Sequence, residues 1–201
     1  MKIVFNFKTA LAAVCLLGLL TTGEGSARAE GVYYSTRALL TDFFRSSQNV
    51  TYKKVEIDPG MRERLAQRLG YVPARSSYTF YVASSSGHID GYALIDEQVG
   101  EHLPITFAVK ISPVGVVERQ EIVCYREPRG DEVRDARFRR QFVGKTARDP
   151  IAVNRDIDAV SGATISSVAM AIGVKRALVL FDELVRPSSL AEAPVARRGT
   201  F

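Results

Sequence analysis

The chain has 201 residues, a formal net charge of +5, 46% hydrophobic residues and 24% charged residues. It has only two cysteines, and His88 and His102 have no cysteine partner at metal-ligand spacing, so no metal site is expected. The length suffices for one domain with a substantial core and is too short for two independent ones.

Residues 1–29 have the pattern of a cleaved signal peptide. The basic residues Lys2 and Lys8 precede an apolar run from Ala10 to Leu20. The stretch Ala27-Arg28-Ala29 then forms an A-x-A cleavage site. The alternative, a permanent membrane anchor, requires about 20 apolar residues, and this run is shorter. The sequence therefore predicts export to a periplasmic or other extracytoplasmic location and a mature chain that begins at Glu30.

The mature chain is only mildly basic, because removal of the leader takes away three basic residues and one acidic residue and leaves a net charge of +3. Its densest basic stretch, Arg126 to Arg148, holds eight Lys or Arg residues against four acids. The mixed sign and the lack of interleaved base-stacking aromatic residues argue against nucleic acid, which would also be an odd partner for an exported protein. The stretch is either a solvated helix face or a docking surface for an acidic redox partner. The remaining thiol, Cys124, is expected to be a buried small hydrophobe.

Two helices are predicted in the N-terminal part of the mature chain. Residues 35–45 carry leucines and phenylalanines at helical spacing after a capping serine or threonine. The second helix is sharply delimited, since Asp58 is its N-cap, Pro59 takes its first position and Gly70 ends it. Residues 30–77 are therefore assigned as a helical segment that packs on the main domain.

From residue 78 to residue 125 the hydrophobic period changes to two, in four segments separated by turn residues. One face of the third segment is apolar and the other is more polar, as in an antiparallel sheet. The apolar face is formed by Ile105, Phe107, Val109 and Ile111.

Helices are predicted again after the strands. Gly130-Asp131 opens a helical stretch that Gly144 ends, and a long helix begins near Thr164 or Ile165. The long helix has an apolar face and an opposite charged face that contains Lys175, Arg176, Asp182 and Glu183. The sequence predicts an α+β fold, with an antiparallel meander sheet flanked by helices in a single domain over residues 78–185, and a disordered tail at 186–201.

The stretch DAVSGATISS, residues 158–167, stands directly before the long helix. Unpaired N–H groups and aligned peptide dipoles at a helix start favour a phosphate, and Gly162 and Ala163 leave room for a large group. Asp158 is expected to orient the loop by accepting N–H bonds, or to bind a metal carried by a modifying enzyme. The nearby hydroxyls are expected to be exposed in the uncovered first turn, at Ser161, Thr164 and Ser166. These residues alone leave two interpretations, a capped helix start and a phosphate site.

The stretch closely resembles the flavinylation motif of the FMN-binding domain family, D-x-x-S/T-G-A-S/T-x-T. This family includes periplasmic flavin subunits of sodium-pumping quinone reductases and of Rnf-type complexes. A match at six such positions arises by chance about once in 10⁶ starts. The motif falls on Asp158, Ser161, Gly162, Ala163, Thr164 and, with serine in place of threonine, Ser166. The resemblance extends less specifically over residues 78–184.

The resemblance implies that a flavin transferase joins the phosphate of FMN to Ser166 as a phosphoester and recognises Asp158. The stretch Glu127-Pro128-Arg129-Gly130 is similar to an E-T-P-G-like sequence of the family, which implies that Tyr125, Glu127 and Gly130 contribute to the flavin pocket. An ordinary strand-to-helix turn is the alternative for these three residues.

The implied protein is a single FMN-binding domain that relays electrons between a membrane oxidoreductase and an acceptor, with a cytochrome or iron–sulfur protein as partner. No catalytic residue is assigned. Three alternatives remain: FMN held without a covalent bond, a small flavin-dependent reductase, and an FMN-free adhesion module. Only Arg129-Gly130-Asp131 and Asn49-Val50-Thr51 support the last of these.

Overall fold

The computed structural model describes residues 31–186. The predicted signal peptide, and the predicted tail apart from Arg186, lie outside these residues. The strands are β1 (Gly31–Val32), β2 (Asn49–Glu56), β3 (Ser77–Ser85), β4 (His88–Val99), β5 (Pro104–Ile111) and β6 (Val117–Tyr125). The helices are α1 (Thr36–Phe43), α2 (Pro59–Leu69), α3 (Ala136–Arg140) and α4 (Thr164–Leu184), with a 3₁₀ turn at Asp131–Arg134.

The six strands form one antiparallel sheet in the order β1-β6-β5-β4-β3-β2. From β2 to β6 each strand pairs with its neighbour in sequence, and β1 pairs with the free edge of β6. The predicted α+β meander is confirmed, and β3 to β6 correspond to the four predicted segments. The sheet therefore places the end of β6, at Tyr125, close to the edge strand β1.

Helices cover both faces of the sheet. The predicted apolar face of β5 is fully buried in the main core, where it packs with the apolar side of α4. A smaller cluster lies on the opposite face, where Leu39, Phe43 and Phe44 pack on small residues of the strands. Cys124 is buried, as expected.

The N-terminal segment contains strands as well as the two helices that the sequence predicts. Both helices are confirmed with their caps, since Ser35 accepts from Ala38 N and Asp58 accepts from Met61 N. The same segment also supplies the two edge strands, β1 and β2, which the sequence analysis missed. Seven of the eight residues of β2 are exposed, so this strand lacks the apolar alternation by which a half-buried strand is recognised.

Helix α4 is buried over most of its surface, and its charged face is buried at Arg176 and half-buried elsewhere. Of the described part of the chain, it is the one helix long and apolar enough to cross a membrane, with a mean hydropathy of 1.6, but 67% of that window is buried inside the fold. Its charged residues are paired: Arg68 of α2 binds Asp182 at 3.0 Å and Glu183 at 2.9 Å. The charges therefore attach α2 to α4.

The most buried ion pair of the described residues joins the middle of α4 to β4. Arg176 is 9% exposed and Asp96 is 2% exposed. The Nε of Arg176 donates to Asp96 Oδ2 at 2.9 Å, and its two terminal nitrogens donate to Gln98 Oε1 and to the carbonyl of Glu97. Because every nitrogen of the guanidinium has an acceptor, the pair fixes the helix on the sheet.

Replacement of Asp96 by alanine should lower the free energy of unfolding by about 3–5 kcal/mol, because it leaves the buried Arg176 charge without its carboxylate. Urea unfolding followed by circular dichroism measures this. The control is Glu56→Ala, which breaks an exposed ion pair with Lys54 and should cost less than about 1 kcal/mol. Equal losses in the two variants would contradict the role given to the buried pair.

Candidate functional site

The start of α4 has no side-chain cap. Its N-cap position is held by Ala163, whose side chain accepts no hydrogen bond. The first helical hydrogen bond joins Ser167 N to the carbonyl of Ala163 at 2.8 Å. The N–H groups of Thr164, Ile165 and Ser166 therefore have no acceptor among residues 31–186. Of the two interpretations left by the sequence, the capped helix start is wrong, and the open phosphate site is consistent with the geometry.

Other residues hold this uncapped turn in place. The Oγ of Ser167 donates to the carbonyl of Ala163 at 2.8 Å and accepts from Val160 N at 3.1 Å. The side chain of Gln141 bonds both the N–H and the carbonyl of Asp158. Sequence reasoning missed Ser167 and Gln141, because neither belongs to the motif and Gln141 lies 17 residues away.

The expected role of Asp158 as the acceptor that orients the loop is taken instead by Asp156. The carboxylate of Asp156 accepts from Ile151 N, Ala152 N and Lys145 Nζ at 2.8–3.1 Å. Burial acts to raise the pKa of Asp156, but Lys145 and the two N–H groups hold it below the usual value. Asp158 itself is exposed beside a cleft of about 620 Å³, which Glu132, Arg137 and Phe138 also line. Its exposed carboxylate is free to contact another molecule.

Three of the predicted pocket residues meet at one point. The hydroxyls of Tyr125 and Ser166 are 2.7 Å apart, and Tyr125 also donates to the carbonyl of Arg129 at 2.5 Å. Gly130 follows with φ +91°, and a Cβ built there would stand 2.5 Å from Ser166 Oγ. The strand end, the turn and the first turn of α4 thus converge on the hydroxyl of Ser166.

Ser166 is buried, contrary to expectation, and is 5% exposed. The first turn of α4 is covered on this side because Tyr125 and the turn at Gly130 pack against it. Ser161, Gly162 and Thr164 are exposed, as expected, and surround the unpaired N–H groups. Burial raises the pKa of Tyr125 above its usual value although the Ser166 hydroxyl opposes this, so the phenol stays neutral.

Glu127 links the turn to the hairpin between β4 and β5. Its Oε1 accepts from His102 N at 2.6 Å and from Leu103 N at 2.8 Å. Burial alone would raise the pKa of Glu127, but these N–H groups lower it below the usual value. The second oxygen, Oε2, is buried and has no hydrogen-bond partner among the described residues. It can accept a hydrogen bond from a ligand.

Several members of the predicted basic stretch have partners within the fold. Arg139 and Glu121 form an ion pair, Lys145 binds Asp156, and Arg134 stacks on Tyr33 at 3.4 Å from the ring centroid. Other members are exposed, as a solvated or docking surface requires: Arg129, Arg137, Arg140 and Arg148. The helix that was predicted here is a 3₁₀ turn followed by the short α3.

The residues fit a flavin phosphate. Three unpaired N–H groups and two exposed hydroxyls form a donor set for phosphate oxygens at the positive end of a 21-residue helix. The orphaned oxygen of Glu127 supplies an acceptor for a ribityl hydroxyl or a ring N–H. No group of three His, Cys, Asp or Glu side chains that could hold a metal ion occurs within residues 31–186.

The fold and the site together define an α+β domain with an open helix start suited to a phosphate. Residues 100–179 match the model of the FMN-binding domain family, and this part of the chain is an FMN-binding domain. The match includes Tyr125, Glu127, Gly130 and the whole stretch from Asp158 to Ser166. The resemblance inferred from the motif is thereby confirmed.

A solved structure with a similar fold is NqrC from Shewanella oneidensis. The two chains share 16% sequence identity and superpose with a TM-score of 0.54, over 76% of this chain and 88% of that one. At this identity the likeness concerns the fold. A comparison with curated proteins found no match.

Gly130→Ala should lower the free energy of unfolding by about 2–4 kcal/mol, because it combines a positive φ with a collision between the new methyl group and two hydroxyls. Gly87→Ala is the matched control, since Gly87 has φ +80° and nothing within 4 Å of a built Cβ. That variant should cost about 1 kcal/mol. Denaturant unfolding of both proteins tests the difference, and equal costs would contradict the close approach at Gly130.

Glu127→Gln should reduce the loss of stability in acid. The pKa of Glu127 is lower in the folded than in the unfolded chain, so its stabilisation is present above the unfolded value of about 4.3 and disappears as the pH falls through the folded value. The free energy of unfolding should therefore change less between about pH 7 and pH 3 in this variant than in the wild type. Glu56→Gln, at an exposed carboxylate, should retain the wild-type difference.

Proposed function

We propose that this protein is an exported electron-transfer flavoprotein whose FMN is attached to Ser166 through a phosphoester. The uncapped start of α4 carries the proposal: three free N–H groups stand beside the serine at the last position of the motif, inside an FMN-binding domain. The solved neighbour NqrC supports the choice of class through its fold.

Each residue of the site then has a role toward the flavin. The N–H groups of Thr164, Ile165 and Ser166 bind phosphate oxygens, and the hydroxyls of Ser161 and Thr164 add donors. Gly162 has φ +81° and open space at its Cβ position, so a large group can approach the backbone there. Glu127 offers Oε2 as an acceptor. When bound, FMN supplies the capacity to accept and release one or two electrons.

A covalent bond suits a protein that acts outside the cytoplasm. A dissociable cofactor is bound only in proportion to its free concentration relative to its dissociation constant. The predicted signal peptide would place the mature chain away from the cytoplasmic supply of FMN. Attachment to Ser166 makes occupancy independent of that supply.

The proposal implies two partners. A flavin transferase attaches the flavin and recognises the exposed carboxylate of Asp158. A membrane redox protein, a cytochrome or an iron–sulfur protein, exchanges electrons with the loaded domain. The exposed arginines at positions 129, 137, 140 and 148 favour a partner with an acidic surface.

The intact mass of the protein, coexpressed with a flavin transferase and exported, should exceed that of the mature polypeptide by one FMN less one water. Ser166→Ala should abolish the added mass, because no other hydroxyl occupies that position. The control Thr41→Ala removes an exposed hydroxyl on α1, distant from the motif in sequence, and should retain the full increment.

The same preparation separates the alternatives. A yellow colour that is released on denaturation, with no added mass, would replace the covalent bond by non-covalent binding. The absence of both colour and added mass would refute the proposal. Steady turnover of a soluble substrate by the loaded protein alone would identify a reductase instead of a relay.

A further inference from the structure

We infer that Tyr125 is a positioning residue that holds the hydroxyl of Ser166 in the orientation required for flavin attachment. This inference rests on the proposed function of Ser166 and assigns Tyr125 a role other than contact with the flavin ring. It is carried by the hydrogen bonds around the Tyr125 hydroxyl and by the contrast between two adjacent serines.

The directions of the hydrogen bonds follow from the chemistry of the groups. The carbonyl of Arg129 can only accept, so the single proton of Tyr125 is used in the 2.5 Å bond to that carbonyl. In the 2.7 Å contact between the two hydroxyls, Ser166 is therefore the donor and Tyr125 the acceptor. The proton of Ser166 points at Tyr125, and its oxygen lone pairs point elsewhere.

The neighbouring Ser167 shows what a serine at this end of α4 does without such a partner. A serine in a helix commonly donates its proton to the carbonyl four residues earlier. Ser167 does so, with Oγ 2.8 Å from the carbonyl of Ala163. Ser166, one residue before it, bonds to Tyr125 and not to the carbonyl four residues earlier, that of Gly162 just before α4. Tyr125 thus keeps the Ser166 hydroxyl away from the backbone of Gly162.

Two further features hold Tyr125 in this position. Its hydroxyl is fixed from the other side by the turn, whose Gly130 would have a Cβ 2.7 Å from that hydroxyl. Tyr125 is also the last residue of β6, where its backbone pairs with Gly31 of β1. Both the ring and its backbone are therefore restrained before any flavin arrives.

The attachment step needs an oriented serine oxygen. It forms a bond between Ser166 Oγ and phosphorus and breaks the bond from that phosphorus to the leaving phosphate of a phosphoanhydride of FMN, such as flavin adenine dinucleotide. The hydroxyl proton passes to a base of the transferase, the leaving group departs as a phosphate monoester, and no atom changes its oxidation state. Orientation of the attacking atom acts on the rate of this step and not on the binding of the two proteins.

The test is the rate at which the unloaded mature protein gains flavin mass from flavin adenine dinucleotide and a purified flavin transferase, measured at several acceptor concentrations. Tyr125→Phe should lower the maximal rate about tenfold to a hundredfold and leave the half-saturating acceptor concentration within about twofold. The control is Tyr78→Phe, which also removes the hydroxyl of a buried tyrosine and should load at the wild-type rate.

A loss confined to the half-saturating concentration, or equal rates for Tyr125→Phe and Tyr78→Phe, would overturn the inference. If the wild type itself gains no mass, the proposed function fails, which is a distinct result. If Tyr125→Phe does not fold, the wild type still provides a test by nuclear magnetic resonance. A Ser166 hydroxyl proton with cross-relaxation to the Tyr125 ring supports the inference, whereas one that contacts the backbone of Gly162 overturns it.

Discussion

The packing of α4 across the sheet is the constraint on which the rest of the structure depends. Gly173 allows the ring of Phe107 to approach so closely that an added Cβ would lie 2.7 Å from it. Polar contacts at two further places on the helix oppose its rotation and sliding. Arg176 binds Asp96 of β4, and Arg68 of α2 binds two acids of α4, Asp182 and Glu183. The position of Ser166 relative to β6 follows from these contacts, although none of them belongs to the site.

Stabilising contacts and unsatisfied groups are separated along this helix. Its middle and its C-terminal half are mostly apolar or held by ion pairs, whereas its first turn has three free N–H groups. The unpaired oxygen of Glu127 lies in the neighbouring turn after β6. Two other buried oxygens without a hydrogen-bond partner among the described residues, Gln120 Oε1 and Asp182 Oδ1, lie apart from this site. Unpaired polar groups cost free energy in a folded protein, so three N–H groups and a carboxylate oxygen left unpaired in neighbouring turns are typical of a binding site.

The parts of the fold that could be predicted are those in which local chemistry and burial agree. Asp58, Pro59 and Gly70 delimit α2 by capping alone, and the alternation in β5 reports one buried face. The strand β2 could not be found, because its exposure removes the hydrophobic pattern. Contacts between residues distant in sequence could not be predicted either. Nothing in the sequence shows that Gln141 binds the backbone of Asp158, or that Tyr125 covers Ser166.

The alanine at the N-cap of α4 leaves the helix less stable but keeps the N–H groups of its first turn free for a ligand. A serine or aspartate at position 163 is the common choice for a helix start, and such a cap typically adds about 1 kcal/mol by accepting an N–H bond of the first turn. That acceptor would occupy the donors that a phosphate uses. Ser167 anchors the turn through the carbonyl of Ala163 and the N–H of Val160, and so leaves those donors free. A more stable variant selected at position 163 would therefore be a poorer receptor for an anion.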